Sequence, residues 1–272
     1  MTDDTRAGKV TGLVMAASRR GPADSVAQLQ NKSHKCLVEI AGTVMLERVV
    51  GTMLDAGCFN RVAISIEDEA VARQVPQIAA WMYDGRVVVT PSRGNLAGSV
   101  LAAVEHLDDP LPMVITTGDN ALHTPDLVRD FVTAFLAADE DAAVGFTSEA
   151  VVQQMFPESG LAYHRIKDGG WSACNLFGLR NEASLITAHI FEGGGQFGKK
   201  HLRILKAFGV MPFILYKLKA ATLDELIGRI ARNLGITATA VDLPYPFGPI
   251  DVDNPNSFAI SEETLRNREA AA

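Results

Sequence analysis

Short apolar runs alternate with segments of helical periodicity through the first half of the chain. Short apolar runs bounded by turn residues predict strands, and apolar residues three and four positions apart predict helices. The predicted strands are Val10–Ala17, Arg61–Ile66, Arg86–Thr90, Pro112–Thr117 and Ala142–Thr147. The predicted helices between them are Met45–Leu54, Asp68–Met82, Ser99–Leu107 and Pro125–Ala138. This alternation predicts an α/β protein with a mainly parallel sheet and helices on both of its faces.

The pattern is looser in the second half of the chain. Strands are predicted at Leu161–Ile166 and Trp171–Gly178, on either side of a turn at residues 167–170. Leu202–Lys219 predicts an apolar helical hairpin or a helix broken at Pro212, which forms part of the core or a dimer surface. Thr222 to Glu225 has the pattern of a capping box and predicts a helix that reaches Leu234.

Composition narrows the class of protein. The 272 residues carry a formal net charge of −7, which argues against a nucleic-acid-binding protein with a basic surface. The three cysteines have no metal-ligand spacing and do not indicate a disulfide framework, as fits a reducing cytoplasm. We expect no signal peptide and no membrane span, because the first residues are polar and the most apolar run is too short.

The segment from Val10 to Arg48 is the most informative part of the chain. A strand leads into a small basic turn, Ser18-Arg19-Arg20-Gly21, and an isolated Lys35 precedes a second apolar stretch and a helix. Turn amides and basic side chains in this order are typical of the triphosphate end of a nucleotide site. Solvated loop charges are the alternative interpretation of the two arginines and the lysine.

Two further segments carry carboxylates. Asp119 follows Gly118 at the end of a predicted buried strand, where ligands bind in open α/β sheets, although a turn-forming aspartate is the alternative. Asp251 and Asp253 are two positions apart in an extended segment before Asn254-Pro255. Their side chains point to opposite sides, so only one is expected to reach a shared ligand directly.

These segments together resemble the MobA-like NTP transferases, in the sugar-phosphate nucleotidylyltransferase branch of the GT-A fold. Met15 to Gly21 is similar to the family's glycine-rich turn, and Lys35-Cys36-Leu37 to its lysine motif. Residues 41–48 are similar to its helix entry, and residues 251–258 to its closing Asp-x-Asp segment. The chain departs from the turn pattern, since Ser18 and Arg20 stand where glycines are expected and Gly21 comes one place late.

The resemblance implies a Rossmann-like mixed, mostly parallel sheet with flanking helices in a single continuous domain with an acceptor-binding insertion. We expect the domain to span residues 9–263, with a nucleotide-binding half at 10–147 and an acceptor-binding half at 148–247. Residues 264–272 are then expected to be a tail, with a frayed helix from Arg266 to Ala272.

The resemblance also implies roles for individual residues. Asp119 and Asp253 are expected to hold Mg²⁺ or Mn²⁺, while Asp251 either supports them or binds a second ion; hard oxygen donors suit these ions. Arg19, Arg20 and Lys35 are expected to neutralise the triphosphate in catalysis, and Asn175 to bind the acceptor. Lys199 and Lys200 either meet an anionic acceptor or are solvated. The expected nucleotide contacts are Ala16, Ala17, Ser18, Gly21, Lys35, Gly98, Ser99, Gly118 and Asp119, of which Gly98 and Ser99 fit a capped helix equally well.

The implied function is Mg²⁺-dependent transfer of a nucleoside monophosphate from an NTP to a phosphorylated small-molecule acceptor, with release of pyrophosphate. The acceptor would be a sugar, alditol or cofactor-precursor phosphate, and a homo-oligomer is possible. One alternative is a GT-A glycosyltransferase that uses a nucleotide sugar, which Lys35 disfavours because a donor diphosphate has no γ-phosphate. The other is a non-catalytic nucleotide-binding relative, which the altered turn alone supports.

Overall fold

A mixed sheet lies at the centre of the computed structural model, which describes residues 10–191 and 209–271. The strands are β1 (Val10–Met15), β2 (Glu39–Ile40), β3 (Thr43–Val44), β4 (Phe59–Ile66), β5 (Val87–Pro91), β6 (Met113–Thr117), β7 (Ala142–Ser148), β8 (His164–Ile166), β9 (Gly169–Leu179) and β10 (Ala238–Asp242). Eight of them form the main sheet in the order β10-β7-β9-β6-β1-β4-β5, with β8 paired to β9, while β2 and β3 form a separate hairpin.

Strand direction divides the main sheet into two parts. Strands β6, β1, β4 and β5 are parallel neighbours, as are β7 and β10. Strand β9 lies between the two groups and runs antiparallel to β6, β7 and β8. The predicted mixed, mostly parallel sheet is therefore confirmed.

Helices cover both faces of this sheet. They are α1 (Ser25–Gln28), α2 (Met45–Asp55), α3 (Glu69–Ala72), α4 (Pro76–Tyr83), α5 (Leu96–His106), α6 (Pro125–Ala138), α7 (Glu149–Val152), α8 (Val210–Lys217), α9 (Leu223–Asn233) and α10 (Pro255–Ala271). Short 3₁₀ segments occur at Gly21–Ala23, Lys35–Leu37 and Glu182–Phe191.

The core has a layer on each side of the sheet. Val14 of β1 packs in a cluster with the buried faces of α2, α4 and α6, where Phe131 and Phe135 are fully buried. The next residue back along β1, Leu13, belongs to a second cluster with Val100 of α5. Successive strand residues point to opposite faces, so this near-continuous apolar strand serves both layers.

Two predicted helices differ in the structure. The predicted helix Asp68–Met82 is divided into α3 and α4 by extended backbone at Val75, because the following Pro76 disfavours a helical conformation there and instead starts α4. Helix α5 begins at Leu96 rather than Ser99, and its N-cap is Asn95, whose side-chain oxygen accepts the Gly98 N–H. The expected Ser99 cap is therefore wrong, since an earlier residue already satisfies the first amides of the helix.

The second half of the chain is more irregular, as its pattern indicates. The capping box at Thr222 and Glu225 is present at the start of α9. Strand β10 was not predicted, and it extends the sheet beside β7. Helix α8 covers part of the predicted apolar segment, but residues 202–208 lie outside the described residues.

The last helix includes the residues that were expected to form a frayed helical tail. Helix α10 runs from Pro255 to Ala271, its Leu265 is buried, and Arg268 donates to the Leu122 carbonyl. Residues 264–271 are thus a packed part of the molecule. In the part of the chain that the structure describes, no helix is long and apolar enough to cross a membrane.

Candidate active site

The candidate site lies at the edge of the sheet where the parallel strands β1, β4 and β6 end. Asp119 comes two residues after β6, Lys35 lies in the 3₁₀ segment Lys35–Leu37, and Asp253 lies in the loop before α10. Ligands of open α/β sheets bind outside the carboxyl ends of such strands. Three distant segments of the chain therefore meet at the expected edge.

Lys35 joins the two carboxylates. Its ammonium donates to Asp119 Oδ2 and, over 2.9 Å, to Asp253 Oδ1. The Lys35 and Asp119 side chains are largely buried, while Asp253 is 61% exposed. Burial alone would lower the pKa of Lys35, but the nearby charges of Asp119 and Asp253 and their hydrogen bonds raise it overall. The lysine is therefore held as a cation between two acidic side chains.

Gly118 allows the turns after β1 and β6 to approach closely. Its N–H donates to the Met15 carbonyl over 2.9 Å. A Cβ at this position would lie 3.3 Å from the Ala16 Cα, tighter than ordinary packing allows. The Asp119 carbonyl accepts the Val252 N–H over 3.0 Å, which ties the Asp119 turn to the loop that carries Asp251 and Asp253.

Asp251 is held by an amide network that includes Asn175 of β9. The Asn175 Nδ2 donates to Asp251 Oδ2 over 3.1 Å and to Asn120 Oδ1 over 3.2 Å. Burial, together with the neighbouring charges of Asp119 and Asp253, raises the pKa of Asp251 to about 7, although Lys35 and the Asn175 hydrogen bond act in the opposite direction. The Thr117 hydroxyl completes the network with contacts to Asp119 Oδ1 (2.5 Å) and Asn120 Oδ1 (2.8 Å).

The turn after β1 forms hydrogen bonds within the protein. The Gly21 N–H donates to the Ser18 hydroxyl over 2.9 Å, and Gly21 has a φ of +51°, which suits glycine. The Ser18 N–H faces both carboxylate oxygens of Glu67 at 3.3 Å. Arg19 and Arg20 extend from the turn as exposed side chains. Ala16 is buried beneath the turn, while Ala17 is exposed on it.

The loop after β5 is a separate small unit. The Ser99 hydroxyl accepts the Arg93 N–H over 2.8 Å and lies 3.0 Å from the Asn95 carbonyl. A Cβ on Gly98 would meet the Arg93 side chain at 3.0 Å. The hydrogen bonds of the Gly98 N–H and the Ser99 hydroxyl stay within residues 93–99, so they do not join these residues to Lys35 and the carboxylates. Lys199 and Lys200 lie outside the described residues.

The donor chemistry fits a divalent cation such as Mg²⁺. Asp119, Asp251 and Asp253 supply hard oxygen atoms, and the raised pKa of Asp251 reflects first its burial and then the negative charges of the other two carboxylates. Among the described residues, no three His, Cys, Asp or Glu side chains form a ready metal cluster. Lys35 instead bridges two of the carboxylates, so a cation held there would share them with the lysine.

Sequence reasoning missed several residues of this arrangement. Thr117 and Asn120 flank Asp119, and their polarity at the end of a buried strand was the available signal. Glu67 directly follows β4, at the same edge of the sheet at which Asp119 comes two residues after β6. His34 directly precedes Lys35, and its Nε2 lies 2.9 Å from Glu67 Oε1.

Comparison with protein families gives one match, which covers more than half of the chain. The model of the MobA-like NTP transferase domain matches residues 15–175, from the last residue of β1 to Asn175. This range contains Lys35 and Asp119 but ends before Asp251 and Asp253.

Two curated relatives are similar over a shorter region. Both are named 2-C-methyl-D-erythritol 4-phosphate cytidylyltransferase. The protein from Rhodococcus opacus (strain B4) is 28% identical over 125 residues, covering 46% of this chain and 50% of that protein. The one from Rhodococcus jostii (strain RHA1) is 27% identical with the same coverage. The chain spans about half the length of these relatives.

Solved structures share the fold over nearly the whole chain. A hypothetical transferase from Thermus thermophilus aligns with a TM-score of 0.73 and 22% identity, over 92% of this chain and 99% of that one. A CMP:2-keto-3-deoxy-manno-octonic acid synthetase complexed with CTP aligns with a TM-score of 0.61 and 13% identity, over 96% of this chain and 100% of that one. At these identities the likeness establishes the architecture.

Proposed function

Because the chain belongs to the MobA-like NTP transferase family, we propose that it is a Mg²⁺-dependent nucleotidyltransferase acting on a phosphorylated small molecule. In this reaction an acceptor phosphate oxygen attacks the α-phosphorus of an NTP. The bond from that phosphorus to the bridging oxygen breaks, and pyrophosphate leaves. The arrangement that carries the proposal is the convergence of Lys35, Asp119 and Asp253 beside the turn after β1.

In this proposal each half of the domain binds a different substrate. Residues 10–147 bind the nucleotide and residues 148–247 bind the acceptor, within a domain spanning residues 9–263. The turn amides, with Arg19 and Arg20 at the rim, face the triphosphate. Asn175 and Asp251 lie on the acceptor side, where the amide network supports a role in orienting the acceptor phosphate.

In this reaction the protein has to align the acceptor oxygen with the α-phosphorus and to neutralise the negative charge of the phosphates. A phosphate monoester is already anionic, so its oxygen needs no side-chain base in order to attack. Lys35 would place a positive charge against the phosphates, and Asp119 and Asp253, which both pair with Lys35, would hold a metal ion at the same edge. When bound there, Mg²⁺ would stabilise the negative charge that develops on the phosphoryl group and the leaving pyrophosphate.

The relatives narrow the first substrates to try. Two curated relatives are named as cytidylyltransferases of a sugar-alcohol phosphate, which supports CTP and an alditol phosphate as the first pair. The other NTPs and sugar phosphates remain in the panel, because the similar region of those relatives ends well short of the whole chain.

The first test is pyrophosphate release with each of the four NTPs, Mg²⁺ and a panel of phosphorylated acceptors. We expect Lys35→Ala and Asp119→Asn each to lower kcat by roughly 10²- to 10³-fold, as the loss of other preorganised electrostatic contacts does. The matched control is Lys32→Ala, which removes a lysine paired with Glu39 outside the site. Chelation of the metal with EDTA is expected to abolish release, and added Mg²⁺ or Mn²⁺ to restore it.

The following results would contradict the proposal or part of it. Release of a free nucleoside diphosphate from a nucleotide sugar would identify a glycosyltransferase. Tight NTP binding without turnover across the panel, including cofactor precursors, would identify a nucleotide-binding relative. Turnover that is unchanged in Lys35→Ala would remove Lys35 from the reaction.

A further inference from the structure

Glu67 is an acidic residue at the turn where the triphosphate is proposed to bind. It follows β4, which pairs directly with β1, so its carboxylate reaches across to the turn after β1. Both carboxylate oxygens lie 3.3 Å from the Ser18 nitrogen. The acceptor of this turn amide is thus an anion supplied by the protein.

His34 holds this anion in place. Its Nε2 lies 2.9 Å from Glu67 Oε1, and the His34 side chain is only 15% exposed. The other ring nitrogen lies 2.9 Å from the Ser33 hydroxyl. Since His34 directly precedes Lys35, the Glu67–His34 contact also links the end of β4 to the segment that carries the site lysine.

A second amide of the same turn is occupied as well. The Gly21 N–H donates to the Ser18 hydroxyl, at the position where the family pattern has a glycine. Each backbone N–H has one hydrogen to donate. A phosphate that binds this turn must therefore take these donors from acceptors within the protein. The contacts of Ser18 with Glu67 are at the long end of hydrogen-bond distances, so they are the easier ones to displace.

We propose that Glu67 is an internal competitor of the triphosphate, occupying the Ser18 amide and lowering the affinity of the turn for the nucleotide. This inference depends on the proposed nucleotide site. On binding, the phosphate oxygens displace the Glu67 carboxylate from the Ser18 amide. The carboxylate returns when pyrophosphate leaves, so the same contact favours release of that product.

The physical basis is repulsion between like charges. The Glu67 carboxylate and a triphosphate compete for the Ser18 N–H. Two negative charges a few ångströms apart at a partly exposed position also repel each other. Glu67→Gln keeps an oxygen that can accept from Ser18 but removes the charge. We expect it to tighten Mg-NTP binding by about fivefold to tenfold.

The experiment is isothermal titration of the full chain with each of the four Mg-NTPs and with inorganic tripolyphosphate. Glu67→Gln and Glu67→Ala are compared with the wild type, and unfolding temperatures establish that each variant is folded. The matched control is Glu69→Gln, two positions after Glu67 in the chain, which removes an exposed glutamate that pairs with Arg73. Tighter binding in both Glu67 variants but not in the control is the expected result.

Unchanged or weaker binding in the Glu67 variants would overturn this inference. Such a result would mean that Glu67 only braces the turn or itself contributes to the nucleotide site. A Lys35→Ala titration separates the two proposals. Binding that depends on Lys35 but is not tightened in Glu67→Gln defeats the Glu67 inference alone, whereas the absence of Lys35-dependent binding defeats the nucleotide site.

Discussion

At the scale of single residues, Asn175 shows how one side chain can join two parts of the site. Its backbone has a φ of +52°, a left-handed conformation that asparagine adopts more readily than most residues. In that conformation its amide group donates both to Asn120 and to Asp251. The strand β9 that carries it runs against β6, so the amide connects the Asp119 turn with the loop before α10.

We predict that Asn175→Asp abolishes most activity with little effect on folding. Aspartate also tolerates the left-handed conformation, but it lacks the two N–H donors and places a negative charge beside Asp251. We expect kcat/KM for pyrophosphate release to fall by roughly 10²-fold, in line with lost electrostatic preorganisation. The measurement is steady-state kinetics, together with the unfolding temperature.

The matched control for this variant is Asn181→Asp. Asn181 also donates to an aspartate, Asp141, over 2.6 Å, but at the other end of β9. That variant is expected to lose stability and keep its activity. Equal activity losses in the two variants would show that Asn175 acts only through the general integrity of β9.

At the scale of elements, helix starts place the loops of the site. Asn95 caps α5, and the Ser99 hydroxyl one turn later holds the Arg93 backbone. Together they fix the loop between β5 and α5 through hydrogen bonds within residues 93–99. The expected contribution of Gly98 and Ser99 to nucleotide binding stays a prediction.

We predict that Asn95→Ala lowers the free energy of unfolding by about 1 kcal/mol, because the Gly98 N–H loses its side-chain acceptor. Urea denaturation with an unchanged m-value is the measurement. The control is Asn267→Ala, at an exposed position within α10, which is expected to stay within about 0.5 kcal/mol of the wild type. A neutral Asn95→Ala would mean that the cap is dispensable.

At the scale of the whole molecule, the last helix, α10, packs against the loops that carry the carboxylates of the candidate site. Leu265 of α10 belongs to the cluster that also contains Ile250 and Val252, on either side of Asp251. Arg268 donates to the Leu122 carbonyl over 2.9 Å and lies over the Phe247 ring, 4.0 Å from its centroid. Arg48 of α2 is paired with Glu269 over 3.1 Å. The loops bearing Asp119 and Asp253 therefore rest on the same helix.

We predict that a chain ending at Glu263 is strongly destabilised. Loss of the buried Leu265 side chain alone should lower the free energy of unfolding by about 2–5 kcal/mol, by analogy with buried leucine truncations. Thermal and urea unfolding measure the effect, with a chain ending at Glu269 as the control that keeps these contacts. An unchanged unfolding midpoint in the shorter chain would mean that residues 264–272 behave as the dispensable tail expected from the sequence.

The sequence alone determined the class of fold and the edge at which the site lies. Hydrophobic periodicity and turn or capping residues are short-range signals, so the strands of the first half, the helix Pro125–Ala138 and the capping box at Thr222 could be predicted. An aspartate after a buried strand, together with the motif around Lys35, was sufficient to indicate the candidate nucleotide site. Strand β10 could not be predicted, because its pairing with β7 depends on the order of strands in the sheet.

Only the tertiary structure decided which side chains meet. Lys35 pairs with Asp253 across 218 positions of sequence, and Asn175 with Asp251 across 76. Glu67 reaches Ser18 because β4 lies beside β1, although 49 positions separate the two residues. Such contacts follow from the order and register of the strands, which bring distant segments to one edge, and no local pattern of hydrophobic and polar positions contains that information.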